Sequence, residues 1–105
     1  MRFVETPVFT LAIADALPDH EYSALQHALI SRPELGVVIP GGGGIRKLRW
    51  RVANRGKRGG LRIIYFWEGP VEVFYMLFAY PKSERADLSP AQLRVLKRLV
   101  AEEFS

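Results

Sequence analysis

Two β-prone stretches joined by a Gly-Pro turn constrain the fold of this chain most. Residues 61–68 (LRIIYFWE) and 71–80 (VEVFYMLFAY) are rich in aromatic and β-branched side chains, which favour strands. Gly69 and Pro70 stand between them, and this pair is typical of a turn. The two predicted strands therefore pair as antiparallel neighbours.

A third strand, predicted over residues 45–52, has one apolar and one basic side. The apolar side chains are Leu48, Trp50 and Val52, and the basic ones are Arg46, Arg49 and Arg51. The two-residue period of a strand breaks once, near Lys47. A bulge close to the four glycines at 41–44 would bring Lys47 onto the basic side. Residues 53–60 (ANRGKRGG) are predicted to form the hairpin loop that completes a three-stranded meander.

Helices are predicted before and after this meander. Residues 2–4 predict a short edge strand, and Thr6 before Pro7 is typical of a helix N-cap. That helix ends near Pro18, and Asp19 is a second N-cap candidate for a helix over residues 20–31. Because the joint is short, the two helices are expected to form an antiparallel hairpin. Residues 34–44 are expected to form a loop.

Ser89 and Pro90 begin the last predicted helix. Its buried stripe is formed by Leu93, Leu96, Leu99 and Val100. The predicted order is β-α-α-β-β-β-α, an α+β fold in which the helical hairpin and the C-terminal helix pack on a mostly antiparallel sheet. The length of 105 residues predicts one domain over residues 1–105.

Composition excludes several function classes. The chain has no cysteine and two histidines, so thiolate and ordinary zinc sites are excluded and no metal or cofactor is expected. The N-terminus lacks the apolar core of a signal peptide, and no stretch has the roughly 18 apolar residues of a membrane span. A cytoplasmic protein without a membrane partner is expected.

The basic residues are concentrated in one band. Eight of the fifteen Lys and Arg residues fall between Arg46 and Arg62, and no acid occurs between Glu34 and Glu68. The rest of the chain carries a formal charge of −4, because seven basic residues there accompany eleven acidic ones. Dense like charges repel one another unless a polyanion neutralises them, so the band predicts a site for nucleic-acid phosphates.

Within and beside this band, individual side chains are candidates for particular roles. Arg62 stands in an otherwise apolar strand, where a guanidinium needs a carboxylate or a phosphate as partner. Tyr80 and Lys82 end the following strand and extend the patch. The predicted RNA-binding residues are Arg46, Arg51, Arg55, Lys57 and Arg58.

Four segments together resemble the RelE/HigB toxins of bacterial type II toxin–antitoxin systems. They are residues 43–49 (GGIRKLR), 56–65 (GKRGGLRIIY), 80–84 (YPKSE) and 87–89 (DLS). The resemblance spans nearly the whole chain, and its Lys-Arg-Gly-Gly-x-Arg-Ile-Ile-Tyr stretch at residues 57–65 is fairly specific to the HigB-like branch. It implies a RelE-like fold and a ribosome-dependent mRNA endonuclease, in which the 2′-hydroxyl attacks the adjacent phosphate without a metal.

The resemblance also implies catalytic residues. They are Lys47 and Arg49 as paired strand cations, Arg62 as the strand arginine, and Lys82 after the last strand. On this basis Arg62 is the expected phosphate clamp, Lys47 the candidate for proton transfer, and Arg49 and Lys82 the charge stabilisers. Some relatives have a catalytic tyrosine near the start of the last helix, where this chain reads Asp-Leu-Ser. Two alternatives remain open: Tyr80 substitutes for that tyrosine, or cleavage relies wholly on Lys and Arg side chains.

The partners implied by the resemblance are mRNA, the 16S rRNA of the ribosomal decoding site, and a cognate antitoxin with a helix-turn-helix DNA-binding domain. Two alternatives remain open on the sequence. One is a ParE-like toxin, which shares the fold and inhibits DNA gyrase; the other is a non-catalytic RNA- or DNA-binding module.

Overall fold

The described residues form a five-stranded sheet with the strand order β1-β5-β4-β3-β2. The structure is a computed structural model that describes residues 1–52, 60–85 and 87–104. The strands are β1 (Arg2–Glu5), β2 (Val37–Val38), β3 (Arg46–Arg51), β4 (Gly60–Glu68) and β5 (Val73–Pro81). The helices are α1 (Pro7–Ala16), α2 (Asp19–Ser31) and α3 (Pro90–Phe104). The predicted α+β class and element order are confirmed, with β2 as an addition.

The sheet is mostly antiparallel, as predicted. β2, β3, β4 and β5 pair antiparallel in succession, and β1 lies at the edge in parallel with β5. β2 lies inside the segment predicted as a loop, where Val37 pairs with Lys47 and Val38 with Arg46. A strand of two residues is too short to show a hydrophobic period, so sequence pattern alone did not reveal it.

α1 and α2 cover one face of the sheet and share one core with it. Phe9, Ile13, Leu25 and Leu29 pack there with Leu48, Ile63 and Met76. The predicted cap at Thr6 is confirmed, because its hydroxyl oxygen accepts a hydrogen bond from the Phe9 N–H at 3.0 Å. The predicted cap at Asp19 is wrong: the N-cap of α2 is Pro18, and Asp19 is the first helical residue. In that position its charge still favours the helix, because it lies at the positive end of the dipole.

α3 covers part of the opposite face. Its predicted stripe of Leu93, Leu96, Leu99 and Val100 packs on a second core of Ile45, Ile64, Leu77 and Tyr80. The predicted cap at Ser89 is confirmed as a reciprocal pair with Gln92. The Gln92 N–H donates to Ser89 Oγ at 3.1 Å, and the Ser89 N–H donates to Gln92 Oε1 at 2.9 Å. This capping box fixes where the helix begins.

A bulge in β5 decides which face its last residues occupy. Ile64 pairs with Phe78 but Tyr65 pairs with Met76, so Leu77 is an extra residue in β5. Met76 consequently packs on the α1/α2 side, whereas Leu77 and Tyr80 pack on the α3 side. A regular strand would place Tyr80 on the same face as Met76. The bulge is therefore what turns Tyr80 toward the α3 side.

In the described part of the chain, no helix combines the length and apolar character needed to cross a membrane.

Candidate functional site

The three central strands place two arginines and a tyrosine side by side. Arg49 on β3 pairs with Arg62 on β4, and Arg62 pairs with Tyr80 on β5. Residues directly opposite one another in an antiparallel pair share a face of the sheet. The row Arg49–Arg62–Tyr80 thus crosses the α3 side of the sheet, and its Tyr80 end belongs to the core on which α3 packs.

Further cations flank this row on the same face. Lys47 and Arg51 lie two residues to either side of Arg49 on a strand whose pairing with β4 is regular from Arg46 to Arg51. Lys82 follows β5, and its N–H donates to the Gly60 carbonyl at 2.9 Å. We call the surface formed by Lys47, Arg49, Arg51, Arg62 and Lys82 the cationic face.

The regular pairing of β3 corrects the sequence interpretation at two positions. No bulge is needed to place Lys47 with Arg49, since the two residues alternate normally. Arg46 instead lies on the opposite face. Its Nη1 donates to the Gly36 carbonyl at 2.8 Å, and its Nη2 lies 3.6 Å from Glu34 Oε2. The structure therefore does not bring Arg46 together with the other cations.

Arg62 is the buried member of the cationic face, with 8% of its surface exposed. Gly60 makes room for it, because a β-carbon at Gly60 would lie 3.2 Å from Arg62 Nη1 and 3.5 Å from Lys82 Cβ. Among the described residues, no carboxylate forms an ion pair with Arg62. A buried guanidinium without an acidic partner is suited to receive an anion from outside.

Tyr80 is buried beside Arg62, with 1% of its surface exposed. Its hydroxyl is also buried, and it has no hydrogen-bond partner among the residues that the structure describes. Burial raises the pKa of Tyr80, the Asp87 carboxylate raises it further, and the charges of Arg62 and Arg85 oppose that rise. The phenol therefore keeps its proton at neutral pH and is suited to donate a hydrogen bond rather than to accept a proton.

Two residues that the sequence did not single out complete the site. Arg85 places its guanidinium carbon 5.7 Å from the ring centroids of both Phe78 and Tyr80, within the range of a cation–π contact. Asp87 forms an ion pair with Lys47 across the cationic face. Both lie in the connector between β5 and α3, which has no strand or helix period, so periodicity carried no signal for either contact.

Three members of the cationic face lower the pKa of Asp87. The hydrogen bond from Lys47 lowers the pKa of Asp87 most, and the charges of Lys47, Arg49 and Arg62 lower it further. The side chain of Asp87 is 69% exposed and that of Lys47 is 23% exposed. The carboxylate thus stays ionised at neutral pH at the solvent-facing edge of the site.

Residues 22–105 match the family model of the RelE toxin of the RelE/RelB toxin–antitoxin system. The chain belongs to the RelE toxin family. The match begins inside α2 and includes β2 to β5 and α3, so every residue of the cationic face lies within it. As a toxin of a toxin–antitoxin system, the protein has an antitoxin as its partner.

The structure does not describe every residue for which the sequence predicts a role in this RelE-family toxin. Arg55, Lys57 and Arg58 lie outside the described residues. In the described ranges, no group of three or more His, Cys, Asp or Glu side chains is arranged to hold a metal ion. The resemblance to the HigB-like branch in particular stays a prediction.

Proposed function

We propose that this RelE-family toxin is a ribosome-dependent mRNA endonuclease that cleaves by attack of a 2′-hydroxyl on the adjacent phosphate. The single observation that carries the proposal is the row Arg49–Arg62–Tyr80, in which two cations and a buried phenol share one face. Lys47 and Lys82 flank the row. This arrangement supplies positive charge and hydrogen-bond donors at one point, which is what a phosphoryl transition state requires.

The reaction forms a bond from the 2′-oxygen to phosphorus and breaks the bond from phosphorus to the 5′-oxygen. The 2′-hydroxyl loses a proton to a solvent water molecule, and the departing 5′-oxygen gains one from a donor of the protein. Negative charge accumulates on the nonbridging phosphate oxygens between these events. Cations that are already fixed around the phosphate stabilise this charge without reorganising.

Arg62 is the proposed phosphate clamp. The residue as a whole is 8% exposed, so its side chain loses little freedom when it binds a phosphate oxygen. A planar guanidinium can donate two parallel hydrogen bonds to a phosphate, which a lysine cannot do. Arg49, its cross-strand neighbour, and Lys82 beside Gly60 are proposed to stabilise the remaining charge.

Tyr80 is proposed to donate a hydrogen bond, and Lys47 is proposed to donate a proton. Because the raised pKa of Tyr80 keeps its hydroxyl protonated, we assign it as a donor to a phosphate oxygen rather than as the base. Lys47 forms an ion pair with Asp87. It is the proposed donor to the departing 5′-oxygen, and the surrounding cations favour ionisation of the 2′-hydroxyl by stabilising the resulting charge.

The ribosome is proposed to present the mRNA to this face in the decoding site. Arg51 is exposed at the outer end of the cationic face and is suited to bind flanking phosphates. Arg55, Lys57 and Arg58 are proposed to contact 16S rRNA. The proposed antitoxin has a helix-turn-helix domain for autoregulation of its own gene.

Primer extension on mRNA from a translating extract tests this function. Wild-type protein is expected to produce cuts at fixed positions within codons, and Arg62→Ala is expected to slow cleavage by about 100-fold or more. Arg98→Ala is the matched control, since it removes the same charge from an exposed position on α3. It is expected to cleave like the wild type.

Primer extension, a gyrase supercoiling assay and an RNA gel-retardation assay together separate the alternatives. Arrested translation with intact mRNA would refute the endonuclease, and inhibition of gyrase supercoiling with intact mRNA would identify a ParE-like activity. Retardation of RNA without arrest or cleavage would identify a plain binding module. Rescue of growth by a co-expressed neighbouring gene would support the antitoxin.

A further inference from the structure

An acidic side chain occupies the cationic face of the free protein. Among the described residues, Asp87 is the one carboxylate that forms an ion pair with a member of this face. It lies in the connector between β5 and α3, two residues before the helix cap at Ser89. A site whose cations attract phosphates thus already contains an anion supplied by the chain itself.

The contacts of this carboxylate are those that a phosphate would make. Asp87 accepts a hydrogen bond from Lys47, and it lies close enough to Arg49 and Arg62 for their charges to stabilise it. Carboxylate and phosphate oxygens are alternative acceptors for the same cationic donors. We propose that Asp87 occupies a phosphate subsite and that a backbone phosphate of RNA displaces it from Lys47 on binding. This inference rests on the proposed function.

The structure favours displacement over a role for Asp87 as general base. Its lowered pKa makes it a poor proton acceptor at neutral pH, because efficient bases have pKa values near the working pH. Its side chain is largely exposed, and exposed ion pairs contribute little free energy. A polyanion that binds several cations at once can therefore replace it.

The consequence is that the toxin binds RNA more weakly when no ribosome is present. While Asp87 remains paired with Lys47, Lys47 is not available to a phosphate, and the negative charge of Asp87 repels that phosphate. The ribosome is proposed to hold the mRNA at this face, which favours displacement of Asp87. Asp87 thus weakens the binding of RNA that no ribosome holds in place.

Binding of a short single-stranded RNA with 2′-O-methyl sugars tests the displacement, because this RNA has no 2′-hydroxyl to attack. Asp87→Asn is expected to bind severalfold more tightly than wild type. The matched control is Glu84→Gln, which removes the same charge from an exposed position of the same connector. It is expected to change affinity much less. The slope of log affinity against log salt should steepen in Asp87→Asn, because in the wild type the displaced Asp87 carboxylate takes up a cation and offsets part of the counterion release.

A double-variant comparison assigns the effect to the Lys47 contact. In a Lys47→Met background, Asp87→Asn is expected to change RNA affinity no more than Glu84→Gln does. An undiminished effect in that background would overturn the proposal, because Asp87 would then act through general charge rather than through Lys47.

NMR titration of the Asp87 carboxyl carbon provides an independent readout. In the free protein the pKa of Asp87 is expected below its ordinary value, and bound RNA should raise it because the carboxylate has lost Lys47. An unchanged pKa with RNA bound, or weaker binding by Asp87→Asn, would overturn the displacement and leave the endonuclease intact. Failure of wild type and Asp87→Asn alike to bind RNA at low salt would instead refute the cationic face as an RNA site, and the displacement with it.

Discussion

At the scale of single residues, two tyrosines of the sheet have hydroxyls with opposite surroundings. The Tyr65 hydroxyl donates to the Pro33 carbonyl and accepts from the Gly36 N–H, both at 2.8 Å. The buried Tyr80 hydroxyl has no such partner among the described residues. A buried polar group without a partner costs free energy, so its presence beside Arg62 is better explained by a ligand than by stability.

Replacing each tyrosine by phenylalanine separates function from stability. Tyr80→Phe is expected to change the free energy of unfolding by less than about 1 kcal/mol and to slow mRNA cleavage about 100-fold, because the phosphate loses one donor. Tyr65→Phe, the matched control, is expected to destabilise the fold by about 1–3 kcal/mol, because it leaves two backbone groups unpaired. Urea unfolding and primer extension measure the two effects. Full cleavage by Tyr80→Phe would contradict its assignment as a donor.

At the scale of elements, the N-terminus of α3 lies close in sequence to Asp87, which forms an ion pair with the cationic face. The capping box of Ser89 and Gln92 begins the helix two residues after Asp87. Ser89→Ala is expected to destabilise the protein by about 1 kcal/mol, as loss of a side-chain cap commonly does. Ser83→Ala, at an exposed position of the same connector that caps no helix, is the control. Equal free energies of unfolding for the two variants would show that the box contributes nothing to stability.

The elements also show which features are readable from sequence. The β4–β5 pair followed from β-prone composition around Gly69 and Pro70, although β5 begins at Val73 because Gly69–Val71 forms a 3₁₀ turn. The positions of Arg49 and Arg62 followed from local alternation. Their pairing depends on strand register, which sequence pattern did not supply.

The bulge at Leu77 and the contact of Lys47 with Asp87 were not readable for a related reason. Both depend on residues that are distant in sequence but adjacent in the sheet or across its surface. Local patterning fixes which way neighbouring side chains alternate, but it does not fix where a strand gains an extra residue. That extra residue places Tyr80, and the long connector places Asp87, so the details that complete the site are tertiary.

At the scale of the whole molecule, the sheet face is divided between a covered apolar part and an uncovered cationic part. α3 packs on Ile45, Ile64 and Leu77, and the cationic face continues the same surface beyond it. The chain has a formal net charge of +4, but the charge outside the basic band is negative. Binding of polyanions is therefore expected to depend on the placement of the cations rather than on the net charge.

Salt titration of RNA binding tests this expectation with two variants that change net charge equally. With the 2′-O-methyl RNA, the wild-type slope of log affinity against log salt is expected to be about −3, as for four or five phosphate contacts at about 0.7 each. Arg51→Ala, within the cationic face, should make the slope shallower by about 0.7. Arg98→Ala, on the exposed side of α3, should leave it unchanged. Equal slopes for the two variants would mean that net charge governs binding, because a localised site must respond more strongly to the loss of its own cation.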